Sequence, residues 1–243
     1  MDSSTTMKGM IATLAALVLF ASPASAASVC GDVNGSNTVT AADALATLKA
    51  AVGQAIELLC SSSGGLPRTG QTASYGAGSD GAVQAGGERI FIDNGDGTIT
   101  DQATGLMWEK KDDSGGIHDW ENRESWSASG ETLDGTIVTT QLAGLNGGSG
   151  FAGHTDWRLP NRLELESILH LGVSGPAAFS EFNVGCTPGC TVTTCSCTRA
   201  SSYWTSTTYT DPATAWDVNF LDGDANANFK TDDFYVRAVR SGP

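Results

Sequence analysis

Oxygen-bearing side chains at fixed intervals are the first chemistry this sequence offers. Asp32, Asn34, Ser36, Thr40 and Asp43 fall at the first, third, fifth, ninth and twelfth places of one stretch, with the carbonyl of Thr38 at the seventh. A hard calcium ion takes roughly six to eight oxygens at such a spacing, so the stretch is a candidate calcium loop. A second oxygen-rich group, Asp217, Asn219, Asp222, Asp224, Asn226 and Asn228, surrounds a predicted hairpin tip and could meet an ion or sugar hydroxyls. Trp120 and Trp126 lie in a polar stretch rich in Gly and Ser, where indoles are free to stack on a ligand. The histidines number 3, and His118 beside Asp119 or His154 near Asp156 would be the acid and base of any catalysis. Neighbours in an extended chain point to opposite faces, so a structural or surface role is expected for them and catalysis is not.

Cysteines add a covalent constraint. Their count is 6, an even number that suits disulfides in an exported chain. Cys30 and Cys60 bracket one small unit, while Cys186, Cys190, Cys195 and Cys197 crowd together. A bridge from Cys30 to Cys60 and two within the cluster are expected, with the cluster's connectivity open; its spacing also permits a four-thiolate zinc site.

Charge narrows the partners. At a formal net charge of −14 the chain is a poor match for nucleic acid, which needs clustered Lys and Arg, and a better match for cations. Charged residues make up 16% of the chain against 30 glycines, a balance that suits a loop-rich exported protein. Lys8, the apolar run from Met10 to Phe20 and the small residues Ala24-Ser25-Ala26 read as a signal peptide over 1–26. No integral membrane segment is expected after its cleavage. The expected location is outside the cytoplasm: extracellular, cell surface or periplasm.

The elements that must position these groups can be read in order. Ala44, Leu45, Leu48, Ala51 and Val52 recur at helical spacing behind the calcium loop and stop at Gly53. Residues 61–65 form a Ser/Gly linker. Strands are predicted for Arg89 to Ile92, Thr98 to Asp101 and Thr104 to Trp108, the first two joined by an Asn-Gly and Asp-Gly turn. A helix over Thr139 to Asn146 stops at Gly147-Gly148. The clearest helix start is Pro160-Asn161, where Asn161 and Glu164 form a capping box ahead of Leu165, Ile168 and Leu169, with Gly172 as the expected terminator. Trp216, Val218 and Phe220, then Tyr235, Arg237 and Val239, alternate as strands do. Trp108, Trp157, Trp204 and Trp216 are expected in the core.

Several of these blocks carry a family resemblance. Asp156-Trp157-Arg158-Leu159-Pro160, the Arg89 to Glu109 opening, Tyr203 to Thr207, Ala215 to Phe220 and Tyr235 to Arg240 together resemble the C-terminal domain of the Legionella collagen-like adhesin. The resemblance spans most of 66–243 and implies an α+β, C-type lectin-like domain. Residues 28–60 are similar to half of a dockerin repeat, implying a small helical calcium-loop module before that domain. With half the dockerin surface missing, a cohesin-like partner is not the expected one. Together these resemblances imply a secreted or surface ligand-binding protein, adhesin-like, with calcium as its ion and an extracellular glycan or protein as its partner. The competing classes are an enzyme or accessory subunit similar to the formylglycine-generating group, and a structural envelope component docking through the calcium loop.

Overall fold

The computed structural model describes residues 66–242. The signal segment, the calcium loop from Asp32 to Asp43, the Cys30 and Cys60 pair and the linker lie outside the described residues. Everything described belongs to one compact unit, Ser62–Pro243. After a short helix α1 (Asp80–Val83), strands β1 (Phe91–Asp93) and β2 (Thr98–Asp101) form the predicted hairpin, in register Asp93 to Ile99. Its turn is fixed by its own acids. Asp93 Oδ1 accepts from the Gly95 amide at 2.9 Å, Asp96 Oδ1 from the Thr98 amide at 3.0 Å, and Gly95 and Gly97 supply the positive φ that the turn requires.

β3 (Leu106–Glu109) and β9 (Val239–Ser241) complete a small antiparallel sheet of order β1-β2-β3-β9. The larger sheet is built from β4 (Arg123–Ser125), β5 (Ser202–Thr208), β6 (Thr214–Asn219), β7 (Ala225–Phe229) and β8 (Asp233–Tyr235), in the order β4-β8-β5-β6-β7. Its pairs are antiparallel except β5 with β8, which meet in parallel at Tyr203 and Tyr235. A π-helical turn, Ile137–Leu142, runs into α2 (Ala143–Asn146) as the apolar spacing of Leu142 and Leu145 predicts. The architecture is α+β, strand-rich with few and short helices.

The organising helix is α3 (Arg162–Glu166), and its start is the predicted one. Asn161 Oδ1 accepts from the Glu164 amide at 2.9 Å, and Glu164 Oε2 accepts from the Asn161 amide at 2.7 Å. Arg158 clamps the same carboxylate from outside at 2.7 Å. The end differs from expectation. The helix stops at Glu166 because Leu169 leaves it for an antiparallel bridge with Ala178, and Ile168 and Leu169 stay buried without helical geometry. Gly172 serves close packing instead of termination: a Cβ there would sit 2.9 Å from the His170 ring.

Alternation along β5 and β6 divides the apolar residues between two clusters. Tyr203, Val218 and Phe220 pack with Leu165, Ile168, Phe182 and Trp108. Trp204, Ala215 and Val236 pack with Trp126, Ile137 and Leu159. The closing segment is not one strand. Tyr235 belongs to the larger sheet and Val239 to the smaller, so residues 236–238 cross between sheets and are buried on every side. Trp108, Trp157 and Trp204 are core as expected, whereas Trp216 is half-buried, with the Arg162 guanidinium 4.1 Å from its ring centroid.

Candidate ligand-binding site

The second oxygen-rich group separates into two sets. Asp217 faces Asn226 across the β6 and β7 pair, and Ala215 faces Asn228, so Asp217, Asn226 and Asn228 share one face of the sheet. Asn228 Nδ2 donates to Asp217 Oδ2 at 2.7 Å. Asp217 is fully buried and its Oδ1 has no partner among the described residues. That one bond sets the orientation of the Asn228 amide: its nitrogen is spent inward, leaving the carbonyl oxygen as an acceptor. Asn226 is exposed on the same face, about 7 Å along the strand.

No hydrogen bond among the described residues ties the Asn219, Asp222 or Asp224 side chains to Asp217, Asn226 or Asn228. Asn219 Oδ1 accepts from the Leu221 amide at 2.9 Å and Asp222 Oδ1 from the Asp224 amide at 3.2 Å, so the Asn219 and Asp222 side chains shape the hairpin tip, to which Asp224 lends its backbone. Asx turns of this kind explain the residue types of Asn219 and Asp222.

The indoles expected to be free are not free. Trp126 is 4% exposed, donates from Nε1 to the Thr205 carbonyl at 2.9 Å, and carries the Lys230 ammonium 3.9 Å from its ring centroid. The polar stretch after it folds back, with Ser127 donating to the Lys230 carbonyl and Lys230 to that of Glu131. Trp126 is therefore core. Trp120 is half-buried against the cysteines, beneath the Arg199 guanidinium at 4.7 Å. Those cysteines pair as Cys186 with Cys197 and Cys190 with Cys195, one loop nested in the other. Two bridges within the cluster were expected; their nesting was not legible from spacing. Pairing consumes all four sulfurs, so the four-thiolate zinc alternative is not the arrangement found.

The histidines resolve differently from the candidate pairs. His118 Nδ1 lies 2.9 Å from Glu109 Oε1, while Asp119 accepts from the backbone amides of Gly115 and Glu121. Asp156 pairs with Arg240 at 2.7 Å, which holds its carboxyl below the usual range. Glu109 is the centre of a buried network that sequence reasoning missed. Its Oε1 meets Lys111 at 3.1 Å and Gln141 at 3.1 Å as well as His118, and its Oε2 accepts from the Ala238 amide at 2.9 Å. Burial pushes this carboxyl up, but the Lys111 charge and the His118 and Ala238 bonds outweigh it and hold the pKa at about 2. Arg237, equally buried, donates to the carbonyls of Glu109 at 2.8 Å and Cys197 at 2.6 Å, so the disulfide loop is tied to β3. A signal existed: Glu109-Lys110-Lys111 directly follows an apolar strand, and Arg237 interrupts Tyr-Val-Arg-Ala-Val. Charges inside apolar runs are partnered when buried.

Fold and site together define a strand-rich α+β domain with a disulfide-closed inserted loop and a polar strand face. The chain belongs to the Lcl C-terminal domain family, whose model matches residues 97–240. That membership suggests a surface or secreted, adhesin-like protein. No helix among the described residues is long and apolar enough to cross a membrane. No curated protein matches the sequence.

Proposed function

We propose that this chain is an exported binding protein whose C-type lectin-like domain holds an extracellular glycan on the β6 and β7 face without transforming it. The carrying observation is the Asp217 and Asn228 bond, which presents a fixed amide oxygen beside the exposed Asn226. Two amides about 7 Å apart can bracket one sugar ring through its hydroxyls. Alignment of Asn228 by the buried Asp217 lowers the entropy lost on binding. A non-catalytic role is supported by the pairing of His118 with Glu109 and of Asp156 with Arg240, and by the four cysteines among the described residues, which are bridged and so offer no thiolate of the formylglycine-generating kind. The N-terminal loop of Asp32, Asn34, Ser36, Thr38, Thr40 and Asp43 binds calcium and stabilises its own module.

A glycan array probed with the full chain, with and without chelator, tests this reading. Binding to a defined glycan that is lost in Asn226→Ala/Asn228→Ala, with an unchanged circular dichroism spectrum, is the expected result. Binding untouched by that pair of substitutions would place the ligand elsewhere. Calorimetric titration of the full chain with calcium checks the loop, and Asp32→Ala/Asp43→Ala should abolish the heat.

A further inference from the structure

A half-open cleft of about 440 Å³ lies between the segment preceding β1 and the segment following α3, and no residue of β6 or β7 lines it. That volume is within the range of small-molecule sites. Its charged lining is Arg68, Glu88, Arg89 and Glu181, with His170 and Phe179 forming part of the wall. Among the described residues no ion pair joins Arg68, Glu88 or Glu181 to any partner within 4.0 Å. One unpaired cation, Arg68, and two unpaired acids, Glu88 and Glu181, thus line one space, with Arg89 in its wall already paired to Asp101.

His170 is built into this cleft with unusual constraint. Its ring is seated where glycines at 70 and 172 leave room: a Cβ would come within 2.7 Å of the ring at Gly70 and 2.9 Å at Gly172. Phe179 braces it edge-on at a centroid distance of 4.9 Å. The Gly172 amide donates to His170 Nδ1 at 3.1 Å. With Nδ1 an acceptor, the neutral ring carries its proton on Nε2, which is a donor with no protein partner among the hydrogen bonds of the described residues. Arg89 is a paired cation in the cleft wall. Its side chain is 3% exposed and paired with Asp101 at 3.2 Å through Nη1, while its Nε is buried without a partner. Burial draws the Arg89 pKa down and Asp101 only partly offsets it, the condition of a cation that gains from a further anion.

We infer that this cleft is a second binding site, for a free zwitterionic α-amino acid. The carboxylate would accept from His170 Nε2 and the Arg68 guanidinium, the ammonium would lie toward Glu88 and Glu181, and an apolar side chain would rest on Phe179. A neutral sugar brings no counter-charge to either sign. A simple carboxylate would meet the two unscreened acids, and a simple amine would leave the Arg68 guanidinium without a counter-charge.

The test uses the full chain and L-phenylalanine, followed by calorimetry or saturation-transfer NMR. N-acetyl-L-phenylalanine, which lacks the ammonium, and L-phenylalanine methyl ester, which lacks the carboxylate, serve as half-charged comparisons. The free amino acid is expected to bind, and each capped analogue to bind at least about tenfold more weakly. Arg68→Gln, Glu181→Gln and His170→Gln should each weaken binding about tenfold, and Asn226→Ala/Asn228→Ala should leave it unchanged. The first two side chains lie at the cleft margin, so their loss spares the core. No binding at about 10 mM, equal binding of the capped analogues, or indifference to Arg68→Gln and Glu181→Gln would overturn the assignment. Loss in the Asn226/Asn228 variant would show that the amino acid sits on the sheet face instead.

Discussion

Replacing Glu109 with Gln removes a charge from a site with no water to compensate. Glu109 is fully buried, and the Lys111 ammonium 3.1 Å away is 2% exposed, so the variant leaves that ammonium without its counter-ion. Removing one member of a buried pair costs about 3 to 5 kcal/mol. The carboxyl's depression gives an independent figure: held at about 2 against an ordinary 4.5, it contributes about 3 kcal/mol of stability at neutral pH. Because the folded value is the lower one, this contribution is complete above the unfolded value of 4.5 and disappears as pH falls through about 2. All 6 tryptophans lie between residues 108 and 216, so indole fluorescence in the full chain reports the unfolding of this domain alone. Urea titrations at pH 7 should place Glu109→Gln about 3 kcal/mol below the parent, and the gap should close progressively between pH 4.5 and 2. Other carboxylates titrate in both proteins and cancel in the difference. Glu109→Leu/Lys111→Met, which removes both charges, should recover much of the loss. A gap below about 1 kcal/mol at pH 7, or one of constant size down to pH 2, would refute the reasoning.

Trp126→Ala should cost about 3 to 5 kcal/mol by urea denaturation, because a core indole and its bond to Thr205 are both lost; a displayed ligand-stacking tryptophan would cost almost nothing. Asn161→Ala should lower stability by about 1 kcal/mol, read in the same assay, since the capping oxygen is removed while the site itself is exposed. Cys186→Ala/Cys197→Ala opens the outer loop of sequence separation 11 and should cost about 3 kcal/mol on loop-closure grounds, with a matching fall in Tm. Gly150→Ala should destabilise by more than about 1 kcal/mol in thermal unfolding, because φ there is +74° and a Cβ would lie 1.9 Å from the His154 carbonyl oxygen.

Local chemistry was legible before the fold. Residue types at short range dictate the capping box at Asn161 and Glu164, the hairpin after Asp93, the helical turn ending at Asn146 and the presence of two bridges in the cysteine cluster, though not their connectivity, because each depends on partners a few positions away. The family likewise follows from contiguous blocks, and its model matches 97–240. Partners far apart in the chain were decided only by tertiary structure. Spacing could not tell that Glu109 meets Gln141 and Ala238, that Trp126 buries its nitrogen against Thr205, or that residues 236–238 cross between two sheets. Nor could it show that Asp217 and Asn228 bond across one sheet face while the Asp222 carboxylate turns the chain. The physical reason is the same throughout: a side chain's neighbours along the chain fix its backbone, while its burial and its hydrogen-bond partner depend on which strand the sheet places beside it.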